Sequence, residues 1–206
     1  MKTKLIVLSA TAALAAGCAT TPPESPYYAK SVAYMKAGFK DRGQAKVSER
    51  IEQDSLQKAC SAYKTDPIPK DLAESMQAEQ MATIKPPSDG KYLGDWKSGE
   101  KIAQSGQGGQ YSDDPKRPSG ANCYACHQLT KEELSYGTIG PSLFNFAKVR
   151  GFGPEIQKYA WNKVYNSHAY SACSSMPRFG HKGILTEQQI KDVVALLMDP
   201  NSPVNK

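Results

Sequence analysis

Apolar residues recur at the three- and four-residue spacing of amphipathic helices in several segments of the chain. This spacing predicts helices over residues 47–63, 72–84, 93–104, 154–166 and 187–198. Proline or glycine follows most of these segments and is expected to end them. No segment alternates convincingly between apolar and polar residues with a period of two, so we expect few strands and a mainly α-helical fold.

The same pattern divides the chain into four regions. Residues 1–17 combine a basic start with an apolar run too short to span a bilayer, which is typical of a signal peptide for export. Residues 18–45 are polar and include the segment TTPPESP, which predicts a flexible tether. Residues 46–90 are predicted to form a helical N-terminal extension, and residues 91–206 the principal domain.

The charge of the chain narrows its possible partners. The formal net charge is +6 at neutral pH, but the basic residues are spread along the sequence and form no block. This distribution argues against binding to nucleic acid. A mildly cationic surface is better suited to contact with an acidic protein.

Cys18 directly follows the predicted signal peptide. The segment LAAGC at residues 14–18 resembles a bacterial lipobox, in which the cysteine becomes the lipidated first residue of the mature protein. Ala15 stands where a larger aliphatic residue is usual, and ordinary signal cleavage nearby is the alternative. We therefore expect a periplasmic protein that a lipid on Cys18 anchors to the membrane.

The segment NCYACHQ at residues 122–128 contains the pattern C-x-x-C-H. This spacing is typical of c-type haem attachment, in which two thiols bond to vinyl groups on one porphyrin edge and the histidine ligates the iron. The sequence predicts one covalently bound haem c, with Cys123 and Cys126 as the thioether links and His127 as the proximal ligand. Export supports this interpretation, because c-type haem is attached in the periplasm.

Two other interpretations of the same residues compete with haem. A thioredoxin-like dithiol would lie in an α/β pattern, which this sequence lacks. A zinc site would need a second pair of ligands, whereas His168 and His181 are far apart and share no motif.

The distal ligand is predicted to be Met176, in the loop SSMPRFG. Pro177 stiffens this loop directly behind the sulfur, and a thioether ligand would raise the reduction potential of the iron. Met198 belongs to the apolar face of the last predicted helix and is assigned to the core, while His168 and His181 are expected at the surface or behind the ligands. A buried, gap-filling role for Met176 is the alternative.

Pro141 follows the haem motif in the segment IGPSL. Its carbonyl is predicted to accept a hydrogen bond from the second ring nitrogen of His127, which would fix the orientation of the imidazole. A plain turn is the alternative.

Cys60 and Cys173 are the remaining cysteines. In an oxidising compartment two such thiols indicate a disulfide, which would join the N-terminal extension to the loop before Met176. Two unpaired buried thiols, or a redox-active Cys173 near the iron, are the alternatives.

Several segments together carry a family resemblance that covers residues 93–205: GDWKSGEKIAQSGQGG, NCYACHQ, GTIGPSL, CSSMPRFG and GILTEQQIKDVVALLMDPNSPVN. They resemble the SoxX family, the monohaem cytochromes c of SoxAX complexes in bacterial thiosulfate oxidation. The resemblance implies a class I cytochrome c fold for residues 91–206, with His127 and Met176 as axial ligands.

The resemblance also implies partners and a reaction. SoxX forms a heterodimer with SoxA, and the complex, an L-cysteine S-thiosulfotransferase, joins thiosulfate oxidatively to a cysteine of the SoxYZ carrier. The SoxX subunit is non-catalytic and passes electrons to a soluble cytochrome c. A lipidated Cys18 departs from the general family pattern.

The partner surface is expected beside the exposed haem edge, with the candidates Tyr124, Gln128, Arg178 and Phe179. Two other functions share the motif. A free-standing periplasmic electron carrier without sulfur chemistry would be stable alone, and a ligand-binding haem sensor would have an open or easily displaced sixth position.

Overall fold

The computed structural model describes residues 26–63 and 67–206. These residues form eight α-helices: α1 (Tyr28–Gly38), α2 (Val47–Ile51), α3 (Ser55–Ala62), α4 (Lys70–Ala82), α5 (Trp96–Gln104), α6 (Phe146–Arg150), α7 (Pro154–Tyr165) and α8 (Glu187–Met198). The described part of the chain contains no strand, and one isolated bridge joins Arg42 to Ala45. The prediction of a mainly α-helical fold is confirmed. The predicted signal peptide and Cys18 lie outside the described residues.

The main core forms where α8 packs against α5 and α7. The two helices α5 and α8 approach closely at Gly99, where a Cβ atom would overlap the backbone of Asp192. Trp161 of α7 and Ile190 of α8 are almost completely buried in this core. Burial of such side chains is the main source of stability for the helices, which are too short to be stable alone.

Local signals set the ends of these helices. Thr186 caps α8 and forms a capping box with Gln189, and Asp95 caps α5 by accepting hydrogen bonds from two backbone N–H groups. The bounds predicted for α8 are confirmed, and α7 ends one residue before the predicted bound. Because Asp95 is the cap, α5 begins at Trp96 rather than at residue 93.

The predicted helix over residues 47–63 is wrong as a single element. The chain leaves the helical conformation after Ile51 and begins α3 at Ser55. Asp54 caps α3, since its side chain accepts from the Gln57 N–H while the Gln57 side chain accepts from the Asp54 N–H, each at 3.0 Å. This reciprocal pair is a strong helix-start signal that interrupts the longer pattern.

Residues 26–45 are not all irregular, contrary to the tether predicted for 18–45. They contain α1, whose half-buried residues Tyr28, Val32 and Met35 follow helical spacing. Alanine, lysine and methionine, which favour helices, supply much of the rest of this segment. None of the helices within the described residues is long and apolar enough to cross a membrane.

The N-terminal extension packs against the segment between α7 and α8. Leu56 of α3 and Met76 of α4 share a second apolar cluster with Ala172. Hydrogen bonds add to this contact, because the buried Asn166 side chain donates to the hydroxyl of Thr83 at 3.0 Å. The extension is therefore docked onto the helical core.

Candidate functional site

A cavity of about 350 Å³ brings together the residues that the sequence predicted to act together. Its lining is mostly apolar and includes Cys123, Cys126, His127 and Met176. Two segments supply most of this lining. We call residues 121–141 the proximal wall and residues 171–179 the distal wall.

The proximal wall is folded mainly by contacts within itself, and the N–H groups of Ala121 and Asn122 donate to the carbonyls of Ile102 and Ser105 at the end of α5. Asn122 adopts the left-handed conformation, with φ of 45°, and a short 3₁₀ turn follows over Cys123–Ala125. The N–H of His127 then donates to the carbonyl of Cys123 at 2.9 Å. This tight turn places both thiols and the imidazole on one cavity.

The ring of His127 is held in one orientation. Its Nδ1 lies 2.7 Å from the carbonyl oxygen of Pro141, as the sequence predicted. A carbonyl only accepts, so Nδ1 carries the hydrogen and the lone pair of the neutral ring is on Nε2. Gly140 packs against the same ring so closely that a Cβ atom there would overlap it.

Within the described residues, Cys123 and Cys126 form no disulfide. Burial, with a smaller contribution from the neighbouring Cys126, raises the pKa of the Cys123 thiol to about 12. A redox-active dithiol requires the opposite, because the thiolate is the reactive form and its pKa is lowered in such proteins. The raised pKa of Cys123 therefore argues against a thioredoxin-like role.

The zinc alternative finds no support among the described residues, which include no group of three or more His, Cys, Asp or Glu side chains able to hold a metal ion. His168 is buried, and its Nδ1 lies 2.6 Å from the carbonyl oxygen of Ala172. Burial lowers the pKa of His168, which favours the neutral ring. This histidine fastens the beginning of the distal wall, and it is not at the surface.

Met176 reaches the cavity from the distal wall. Its N–H donates to the hydroxyl of Ser174 at 3.1 Å, and its carbonyl accepts from the hydroxyl of Ser167 at 2.6 Å. Met198, by contrast, is buried in the core on α8 and does not line the cavity. The structure therefore places Met198 in the core, as the sequence predicted, and Met176 at the cavity.

Two links join the distal wall to α3. Cys60 and Cys173 form a disulfide, which was one of the three states that the sequence allowed. The guanidinium of Arg178 donates to the carboxylate of Asp54 at 2.5 Å, and Lys182 contacts the same carboxylate at 3.0 Å. Residues on both sides of Met176 are thus attached to the N-terminal extension.

Three of the four residues predicted to face a partner are buried. Tyr124, Arg178 and Phe179 are each less than 10% exposed, and Gln128 is half-buried. The aromatic rings belong to the core, and the Arg178 side chain is turned inward by its ion pair with Asp54. The predicted partner surface is wrong in these residues.

Sequence reasoning missed three residues around the distal wall. Asp54 could have been found from the spacing of its capping box, D-x-x-Q. Ser167 and Lys163 carry no such signal, although Lys163 lines the cavity and donates to the carbonyl of Ser167 at 3.3 Å. Burial lowers the pKa of Lys163.

Comparison with known proteins gives the family of the chain. No protein-family model matches it. A protein of Aquifex aeolicus (strain VF5), described as an uncharacterized lipoprotein, is 40% identical over 158 residues, which cover 75% of this chain and 73% of that protein. The chain belongs to the same family as this Aquifex aeolicus lipoprotein.

Proposed function

We propose that this protein is a c-type cytochrome that carries one covalently bound haem c and transfers electrons. The observation that carries the proposal is the meeting of Cys123, Cys126, His127 and Met176 on one cavity. The first three are adjacent in sequence, but Met176 comes from a distant loop and lines the same cavity. A gap-filling methionine would not need to share a cavity with the C-x-x-C-H motif.

The residues on this cavity fit a haem. The volume of about 350 Å³ is within the range of ligand and cofactor sites, and the lining is mostly apolar, as such sites require. The His127 ring has its lone pair on Nε2, the form in which an imidazole binds a metal. The proposal includes a class I cytochrome c fold for residues 91–206.

Each residue of the chain has a defined task in this proposal. When bound, haem supplies one-electron redox chemistry. Cys123 and Cys126 would attach it, and His127, oriented by the carbonyl of Pro141, would ligate its iron. Met176 would supply a neutral thioether that raises the reduction potential.

Spectroscopy of ligand variants tests the cofactor. The chain is expressed in a periplasm that attaches haem, and the Met176→Ala variant is compared with Met198→Leu, which changes a buried methionine away from the cavity. We expect wild type and Met198→Leu to show the near-red band of thioether-ligated oxidised iron. Met176→Ala should lose this band and, once reduced, bind carbon monoxide.

Covalent attachment is tested separately. The double variant Cys123→Ser/Cys126→Ser should lose all haem staining on a denaturing gel, because no thioether bond can then form. Colourless wild-type protein would refute the cytochrome proposal. A wild type that binds carbon monoxide as readily as Met176→Ala would favour the haem sensor.

We propose further that the chain is the electron-accepting SoxX subunit of a SoxAX complex. The segments CSSMPRFG and DPNSPVN support this assignment more specifically than the haem motif does. Such a subunit would take electrons from SoxA when thiosulfate is joined to the SoxYZ carrier, and would pass them to a soluble cytochrome c. It would not contact the sulfur substrate.

Copurification tests this assignment. A tagged chain from its native host should retain a second haem protein, and the pair should become reduced when thiosulfate and SoxYZ are added together. A stable, monomeric and coloured chain that thiosulfate and SoxYZ leave oxidised would instead indicate a free-standing periplasmic carrier.

We propose that Cys18 is lipidated and anchors the protein to a membrane outside the cytoplasm. The segment LAAGC and the description of the family relative as a lipoprotein both support this localisation. Mass spectrometry of the N-terminal peptide should detect a diacylglyceryl group on Cys18. The Cys18→Ser variant should be released into the soluble periplasmic fraction, and an unmodified wild-type peptide would contradict the proposal.

A further inference from the structure

We infer that Asp54 and Arg178 are positioning residues whose ion pair, together with the Cys60–Cys173 disulfide, braces the distal wall on α3 and thereby fixes Met176 at the cavity. This inference rests on the proposed function, because it concerns the proposed distal ligand. It assigns a role to the N-terminal extension, for which the motif and the family resemblance provide none.

Among the described residues, the acidic side chain that Arg178 contacts is Asp54. Its side chain is 5% exposed, and its guanidinium donates to Oδ2 of Asp54 at 2.5 Å. A buried guanidinium cannot lose its charge, so it must keep a partner or move towards water. Movement of Arg178 would carry along Pro177 and Met176, which precede it directly.

Asp54 joins the start of α3 to the distal wall. Its Oδ1 accepts from the Gln57 N–H at 3.0 Å and caps the helix, while its Oδ2 accepts from Arg178 and Lys182. The Gln57 side chain in turn accepts from the backbone N–H of Asp54. The capping box of α3 therefore fixes the position of the carboxylate that Arg178 and Lys182 contact.

The two links to α3 lie on opposite sides of Met176 in sequence. Cys173 precedes it and is bonded to Cys60 in the middle of α3, whereas Arg178 follows it and is paired with Asp54 at the helix start. A short segment attached at both ends to one helix has little freedom to withdraw from the cavity. The brace would keep the thioether in place without touching it.

The variant Asp54→Asn isolates this role. Asparagine is as good a helix cap as aspartate, so α3 keeps its start. The amide nitrogen, however, offers a donor where Arg178 and Lys182 also offer donors. The matched control is Glu52→Gln, which removes a nearby carboxylate whose ion pair is with Lys36 of α1 and not with the distal wall.

Three measurements on the haem-loaded protein test whether the ion pair holds the distal wall: the near-red band, carbon monoxide binding and hydrogen exchange. In Asp54→Asn we expect a weaker near-red thioether band and roughly tenfold faster carbon monoxide binding after reduction, since a partly exposed charged hydrogen bond changes an equilibrium by about one decade. Hydrogen exchange should accelerate in the distal wall and stay unchanged in the proximal wall. Glu52→Gln should match wild type in all three.

The outcomes separate this inference from the cytochrome proposal. If Met176→Ala has the same spectrum as wild type, the assignment of Met176 as a ligand fails. Hydrogen exchange would still show whether the ion pair and the disulfide hold the distal wall. If Met176→Ala loses the band but Asp54→Asn behaves as wild type in all three measurements, the inference is overturned. If Asp54→Asn does not fold, the double variant Asp54→Asn/Arg178→Gln replaces it, because it leaves no unpaired guanidinium at this position. The inference then requires this double variant to show the same three changes.

Discussion

The two walls of the cavity are held by contacts that differ greatly in their separation along the sequence. The proximal wall folds mostly on itself, through the turn at Cys123–Ala125 and the hydrogen bond between His127 and Pro141. The distal wall depends on α3, which lies more than a hundred residues earlier in the chain. A change in the N-terminal extension should therefore alter the distal wall and leave the proximal wall as it is.

This difference would matter in the proposed cytochrome. His127, oriented by Pro141, would be a fixed ligand on one side of the proposed haem, and the ligand on the other side would determine whether external molecules reach the iron. The extension would control that second side.

The largest effect is expected from removing the disulfide. The double variant Cys60→Ser/Cys173→Ser should lower the free energy of unfolding by about 2–5 kcal/mol, because the crosslink closes a long loop in the unfolded chain. Denaturant titration measures this loss. Hydrogen exchange should accelerate in the distal wall only, and equal acceleration in both walls would contradict the contrast between them.

A methyl group on the proximal wall should have the next largest effect. Gly140→Ala would place its Cβ against the His127 ring, and such overpacking costs about 1–3 kcal/mol. Gly38→Ala is the control, since nothing lies within contact distance of that position. Denaturant titration should find the loss only in Gly140→Ala, and an equal result for both variants would show that the ring has room to move.

Acid should weaken the brace through Asp54. Partial burial alone would raise the pKa of Asp54, but hydrogen bonds from the Gln57 backbone, Arg178 and Lys182 outweigh it and hold this pKa well below its usual value. A carboxyl whose pKa is lowered by folding stabilises the protein above its unfolded pKa of about 4 and loses that contribution as the pH falls.

The comparison of wild type with Asp54→Asn measures this contribution. Wild type should be more stable by about 1–2 kcal/mol at pH 7, the lower part of the range for charged hydrogen bonds because the carboxylate is partly exposed. The difference should shrink steadily as the pH falls below about 4. A difference that does not change between neutral and acidic pH would mean that the charge of Asp54 plays no part.

The smallest effect is expected from Ser167→Ala. The hydroxyl of Ser167 is completely buried and donates to the carbonyl of Met176 at 2.6 Å. Its loss should lower the free energy of unfolding by about 1 kcal/mol, the usual contribution of a neutral hydrogen bond. Ser174→Ala removes the acceptor for the Met176 N–H and tests the same stretch of backbone a second time. If neither Ser167→Ala nor Ser174→Ala changed the free energy of unfolding, the links to α3 alone would hold the loop.

Sequence reasoning could reach the parts of this molecule that depend on local pattern. The capping box at Thr186 and the apolar face behind it define α8, and both follow from short spacings. The turn at Cys123–Ala125 was accessible for the same reason, because a single motif contains its cysteines and His127. The Cys60–Cys173 pair could be suggested only by elimination, as the two cysteines that the motif and Cys18 left over.

The remaining features depend on contacts between distant segments. Nothing in the spacing of Asp54 and Arg178 indicates that they meet, so Arg178 was assigned to an exposed partner surface although it is buried. The helix α1 was missed for another reason. Its half-buried residues do recur with helical spacing, but the proline-rich segment before them suggested a tether throughout.

The Cys60–Cys173 bond turns the intervening polypeptide, with the C-x-x-C-H motif inside it, into a closed covalent circle. A protease that cuts one peptide bond within this circle, for instance in the exposed loop around Tyr111, opens the ring without releasing a fragment. The nicked molecule should run as one species on a non-reducing gel and as two after reduction, with the proposed haem in one of them.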